Sequence, residues 1–294
     1  GMTIIEGHLF LNGKKPIQHR SSYGLGEVIK AALDNHTEHL VISLGGIGSF
    51  DGGAGMLQAL GATFYDDEAQ IVDMRKGAYL IKYIRRIDLS GVHPQLTKVN
   101  IQLMSDFSSR LYGKKSEIMQ TYESLDLSQN EAAEIDNLIW YFSELFKNEL
   151  KIAMGPIERG GAGGGIAAVL NSLYQAEILT SHELVNQITH LENLIQQADL
   201  IIFGEGLKEE DQILETTTIR IAELTQQYSK PAIAICATND KFDLFESLNV
   251  TAMFNTFIDM PDSYTDFKMG IQIRHYTVQA LKLLKTQINL PLSS

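Results

Sequence analysis

A single acid set among glycines is the first place where this chain could do chemistry. Gly45 to Gly53 carries five glycines and one carboxylate, Asp51, in nine residues. The apolar run His39–Leu44 leads into it and reads as a buried strand, and the helix-compatible run Ala54–Leu60 leaves it. Glycine lets a ligand approach the backbone closely. A glycine turn feeding a helix N-terminus gathers N–H donors where an anion can sit. The order therefore predicts a phosphate or carboxylate site wrapped by Gly45, Gly46, Gly52 and Gly53, with Asp51 pointing into the pocket. The same residues also suit a tight strand-to-helix turn without a ligand. The turn is not a P-loop, because GxxxxGK[ST] is missing, and no strand ends in GxGxxG with a following acid, which argues against a nicotinamide-dependent dehydrogenase.

The elements that must position this turn follow from periodicity. Thr3 to Gln18 alternates around Asn12-Gly13, the strongest short hairpin signal, and predicts a β-hairpin. Ser21-Ser22 is the expected cap of a helix over Gly24–Leu33. Ile71–Met74 reads as a short strand, Gly77–Arg85 as helix and Val99–Met104 as strand. Ile135, Leu138, Ile139, Phe142, Leu145 and Phe146 make Asn130–Leu150 the clearest amphipathic helix. A second glycine cluster, Gly160 to Gly165, opens a helix through Leu173. Beyond it, strands over 198–203, 231–237 and 250–254 alternate with helices over 211–228, 242–248 and 265–286. Such alternation predicts an α/β protein of parallel or mixed sheets flanked by helices, in two domains, 1–190 and 191–294. Ligands of such sheets bind beyond the carboxyl ends of strands, where both the turn after Leu44 and Gly204-Glu205-Gly206 fall.

Composition narrows the classes. A chain of 294 residues with 44% hydrophobic content has ample material for a core. Net charge is −12 and no Lys/Arg run is long enough for a nucleic-acid patch; Lys82–Arg86 reads as a solvated helix face. Nucleic acid is not an expected partner, and neither is a membrane, since no segment approaches a spanning length. Cys236, the single cysteine, sits in the buried-strand pattern Ala232–Ala237 and reads as a core thiol. No metal-ligand motif stands out. Without signal-peptide layout, a cytoplasmic protein beginning at Met2 is expected.

The stretch Gly45–Gly61 resembles the signature of the type 1 glycerate kinases, GGSATNDGGAGMLQALG. Every position from Asp51 to Gly61 fits, while Ile47, Gly48, Ser49 and Phe50 replace Ser, Ala, Thr and Asn. Further segments follow in order. Ser22–Glu27 is similar to TSYGTGEL. Asp106, Leu111 and Gly113 match the frame DVxNPLxG. Ala198–Ile201 looks like ADLVI, Gly204-Glu205-Gly206 like GEG, and Pro231–Ala234 like PVIA. The resemblance implies a glycerate kinase-like fold and transfer of the ATP γ-phosphoryl group, with Mg²⁺, to glycerate or a similar small hydroxy acid. It implies catalytic roles for Asp51, Asp106 and Glu205. Cofactor contacts would come from Gly45, Gly46, Gly52, Gly53, Gly161, Gly164, Gly204 and Gly206. Structural alternatives stay open: Asp106 as a turn-capping residue after a strand, Glu205 as a helix-start carboxylate.

Departures from the family pattern weigh on activity. Nothing matches the family's opening DSFKGS-like and ADGGEGT segments, so the smaller domain is expected to lack its first strand. A helix, a loop or a homodimer partner would then cover the exposed sheet edge. Ser109-Arg110 stands for NP, and Tyr122–Asp126 for GPQKG. Along GEGRIDxQTxxGKTPxGV, Leu207 and Thr216 replace an arginine and a lysine, and Leu125 replaces a second lysine. Phosphoryl transfer rests on positioning and on neutralising an anionic transition state. These losses therefore predict weak ATP binding and low turnover. Two readings result: a glycerate kinase, or a catalytically degenerate relative that binds a small anion or a partner protein.

Overall fold

The structure, a computed structural model, describes residues 2–6, 15–46, 48–205, 217–236, 242–255 and 266–287. The chain forms two compact units, Gly1–Ser181 and His182–Ser294.

The first unit is built on a parallel sheet. Its strands are β1 (Met2–Glu6), β2 (His39–Ser43), β5 (Asn100–Met104) and β6 (Glu177–Leu179), in spatial order β1-β2-β5-β6. The register pairs Ile4 with Val41, Val41 with Gln102, and Met104 with Leu179. Between β1 and β2 runs α1 (Tyr23–Asp34). After β2 comes α2 (Ala54–Ala59), then the antiparallel pair β3 (Thr63–Tyr65) and β4 (Arg86–Asp88). The short α3 (Glu117–Thr121), the long α4 (Gln129–Leu150) and α5 (Ile166–Tyr174) separate β5 from β6. Leu40 and Ile42 from β2, Ile101 and Leu103 from β5 and Ile29 and Leu33 from α1 are buried together in one core. Phe64, Phe142 and Phe146 stack edge-to-face within it. The capping box Ser128–Glu131 starts α4, whose buried Ile135, Ile139, Phe142 and Phe146 follow the expected apolar spacing.

Two sequence expectations are modified here. Met2–Glu6 is a strand that pairs in parallel with β2. The Asn12-Gly13 turn lies outside the described residues, and Ile17–His19 is a 3-10 turn behind Pro16, which has no N–H for a ladder. Ile71 makes one bridge, to Tyr65, and the chain then turns into a 3-10 segment at Met74–Lys76.

The second unit carries α6 (Ser181–Thr189, starting at the boundary), α7 (Leu191–Gln197), β7 (Ile201–Glu205), α8 (Thr217–Gln227), β8 (Ala232–Cys236), α9 (Phe242–Ser247), β9 (Ala252–Asn255) and α10 (Asp266–Gln287). Its strands form a parallel sheet, β7-β8-β9. β8 is buried along its whole length, as a central strand covered on both faces must be, and Cys236 is part of that core. Phe203, Phe245 and Val250 pack with it. No described helix is long and apolar enough to cross a membrane.

Candidate functional site

Asp51 is the hub of the first glycine turn, and it is fully buried. Its Oδ2 accepts from the Ser22 N–H at 2.8 Å, the Ser22 hydroxyl at 2.9 Å and the Gly55 N–H at 3.2 Å. Its Oδ1 accepts from the Gly53 N–H at 3.1 Å. Burial pushes the Asp51 carboxyl pKa up, while these donors pull it down. Ser22 sits at the N-cap of α1, yet its hydroxyl does not cap the helix. It donates to Asp51 and accepts from the Met56 N–H at 2.9 Å, so one acid ties the starts of α1 and α2 together.

The glycine donors expected to face an anion are therefore engaged within the protein. The Gly53 N–H serves Asp51, and the Gly52 N–H donates to the Gly164 carbonyl at 3.0 Å. The second glycine cluster packs backbone on backbone against the first. A Cβ on Gly164, at φ +62°, would overlap the Ser49 carbonyl oxygen, and one on Gly161 would overlap that of Arg110. Gly161 donates to the Ser109 carbonyl at 3.3 Å. In the structure Gly52, Gly161 and Gly164 hold the two turns in close backbone contact, and Gly53 serves Asp51. Likewise Asp51 faces inward onto protein donors, where the sequence placed it in a pocket.

Gly45 and Gly46 are different. They are exposed at the carboxyl end of β2, and a Cβ on Gly45 would meet nothing within 4 Å. Asp106 follows β5, the next strand of the sheet, so it stands at the same end. It is half-buried, and its Oδ1 accepts from the N–H of Ser181, seventy-five residues on at the start of α6, at 2.6 Å. Downstream, Asp136 of α4 accepts twice from the Gly113 N–H, at 2.8 and 3.0 Å, which anchors the segment that carries Asp106. Glu205 ends β7 in register with Cys236, and Gly204 precedes it on that strand. Gly206, with Leu207 and Thr216, lies outside the described residues. Leu125 packs against the core of the first unit.

Two features escaped the sequence reading. Glu117, at the start of α3, accepts from the Gly164 N–H at 3.2 Å, and burial pushes its carboxyl up to about 7. Nothing in Ser116-Glu117-Ile118 marks this in sequence. The second feature is a cavity of about 360 Å³ in the first unit. Lys15, His19, Arg20 and Arg75 line one part of its wall; Ser21, Tyr23, Gly24 and Glu27 complete it. Arg20 is fixed by the Lys15 carbonyl at 2.9 Å and reaches the Gly48 carbonyl at 3.4 Å. Arg75 is held in a fork by Asp73 at 2.8 and 3.0 Å and lies 5.8 Å from the Tyr23 ring centre. The basic residues are scattered over sixty positions of sequence, so no run announces them.

Among the described residues no group of three or more His, Cys, Asp or Glu could hold a metal ion. Mg²⁺ in phosphoryl transfer is held largely by substrate phosphates and water with one or two carboxylates, so such a group is not a requirement.

Comparison with known proteins agrees with the motif order. The profile of the glycerate kinase family matches residues 3–272. A glycerate kinase of Halalkalibacterium halodurans is 31% identical over 231 residues, 79% of this chain and 60% of the relative. A glycerate 2-kinase of Escherichia coli K12 is 29% identical over 236 residues, 80% of this chain and 61% of the relative. In both cases the matched region spans less than two thirds of the relative's length. A solved structure from Salmonella typhimurium LT2, designated a glycerate kinase 2, superposes with a TM-score of 0.81 at 26% identity, covering 99% of this chain and 77% of that one. With its α/β architecture, its ordered motifs and a family match over nearly its whole length, the chain belongs to the glycerate kinase family.

Proposed function

We propose that the protein transfers the γ-phosphoryl group of ATP to glycerate or a similar small hydroxy acid. The observation that carries this reading is the match of the glycerate kinase profile to residues 3–272, over a fold shared at TM-score 0.81. Relatives named as kinases speak for catalysis and against the degenerate alternative.

In this reading the acceptor hydroxyl attacks Pγ in line, its proton passing to a carboxylate such as Asp106 or to water, while the bond from Pγ to the bridging oxygen breaks and ADP leaves. Mg²⁺ on the nucleotide would neutralise charge on the phosphates. The chain's own part is positioning. Gly45 and Gly46 offer exposed backbone at the carboxyl end of β2. Asp106, at the end of the neighbouring strand, would orient the acceptor or a metal-bound water. Asp51 acts from behind, by fixing the turn. Gly204 and Glu205 mark the corresponding strand end in the second unit. We also propose a homodimer in which a second copy covers an edge of the β7-β8-β9 sheet, since among the described residues β7 and β9 are each paired on one side only. Sedimentation at micromolar concentration tests this, and a monomer removes it.

The test of the activity is glycerate-dependent ADP release in a coupled assay, with and without a chelator of Mg²⁺. Turnover that needs both glycerate and Mg²⁺ is expected. ATP or glycerate binding without any ADP release would return the degenerate reading.

A further inference from the structure

We propose that the basic cavity beside α1 is the seat of the acceptor acid: its cations take the carboxylate, and Glu27 selects acids that carry a hydroxyl. This rests on the transferase reading but assigns a separate set of residues.

The charge argument comes first. The chain is acidic, 36 Asp and Glu against 24 Lys and Arg, so its surface on the whole repels anions. At the cavity the balance reverses. Lys15, Arg20 and Arg75 face Glu27, with Asp73 behind Arg75, and His19 adds a donor. Two of these cations are held in place. Arg20 is braced by the Lys15 and Gly48 carbonyls, and Arg75 by the Asp73 fork. Held donors bind a carboxylate without the ordering cost of free side chains.

Size and place agree. At about 360 Å³ the cavity lies near the lower end of ligand sites and has room for a three-carbon acid together with water. Its wall connects directly to the glycine turn. Arg20 reaches the Gly48 carbonyl, and the Ser21 hydroxyl lies 3.4 Å from Asp51 Oδ2. An acid bound there is therefore adjacent to the turn that follows β2. Glu27 sets the selectivity. A wall of cations alone would take any small anion. A carboxylate among them disfavours a second negative group and accepts a hydrogen bond from a hydroxyl, so a hydroxy acid is preferred to the same acid without it.

The experiment titrates the full chain with D-glycerate and with propionate in the absence of nucleotide, measures ATP binding in parallel, and determines the KM for glycerate. Lys15→Met should weaken glycerate about tenfold or more, the scale of one charge-assisted hydrogen bond. Glu27→Gln should shrink the preference for glycerate over propionate. Gly24→Leu adds bulk at the wall, where a Cβ meets nothing within 4 Å, and should abolish glycerate binding with an unchanged or raised melting temperature. ATP binding should stay within twofold throughout. Glycerate binding with these variant effects but no turnover would keep the cavity assignment and sink the transferase reading. Turnover with unchanged glycerate KM in Lys15→Met and Gly24→Leu would keep the transferase reading and overturn the cavity. Loss of ATP binding in place of glycerate binding, or no glycerate binding by the wild-type chain, would also overturn it.

Discussion

Asp51 and Arg20 flank the same short stretch, Arg20–Ser22, and do opposite work. Asp51 is the most conspicuous acid in the sequence, and in the fold it is sealed and saturated by the protein's own donors. Arg20 belongs to no motif, yet it lines a cavity with three other basic side chains. A buried carboxylate with four close donors is a fastener, because removing it strands N–H groups away from water. Cations held around an open volume are a receptor, because the water they bind can be exchanged for a ligand. The difference teaches that glycines around one acid can mean precision of packing, while recognition is assembled from side chains that share no sequence neighbourhood.

That contrast can be broken most forcefully at Asp51. Asp51→Ala strands the N–H groups of Ser22, Gly53 and Gly55 in the core. At about 1–3 kcal/mol each, and without full additivity, a loss of about 4 kcal/mol or more is expected in chemical denaturation. A variant that keeps wild-type stability while losing only turnover would make Asp51 a catalytic group after all. The next effect is at Gly164. Alanine there puts a Cβ into the Ser49 carbonyl at a left-handed φ of +62°, so the two glycine turns must separate. A loss of about 2–4 kcal/mol is expected, from left-handed strain plus displaced backbone. Full stability in Gly164→Ala would show that the turns do not depend on their close approach.

Much of the architecture was legible because it is local. The seam of α4, with buried Ile135, Ile139, Phe142 and Phe146, is periodicity alone. The β8 strand is a short apolar run between helices, and it is central in the sheet as such runs predict. What was not legible is nonlocal. The alternation in residues 3–6 announces a strand but not its partner, and the parallel edge of β2 takes it. Ser22 reads as a cap by its position, yet Asp51, twenty-nine residues on, takes its hydroxyl. The site divides in the same way. The exposed Gly45-Gly46 turn and Asp106 could be placed at strand ends from pattern. The packing duty of Gly161 and Gly164 could not, because it depends on which backbone lies opposite. The cavity needed Arg75 brought against Tyr23 from fifty-two residues away.

Glu117 gives the smallest effect and the sharpest sign. Its carboxyl lies behind the second glycine turn, accepting from the Gly164 N–H, and burial raises its pKa from the usual carboxylate range to about 7. A carboxyl that holds its proton more tightly folded than unfolded favours the native state while the proton is on. That contribution is complete below about pH 4.5, where both states are protonated, and it is lost progressively as pH rises to about 7. Above pH 7 the native state carries the burial penalty in full. Glu117→Gln removes the titration while keeping an acceptor for Gly164. Its stability relative to wild type should therefore rise between pH 5 and pH 8, by about 1–3 kcal/mol at most since the glycine donors also serve the charged form. Melting temperatures of both proteins over that range decide it. Parallel curves would mean that Glu117 ionises as an ordinary exposed acid, and that the second glycine turn is open to water on its α3 side.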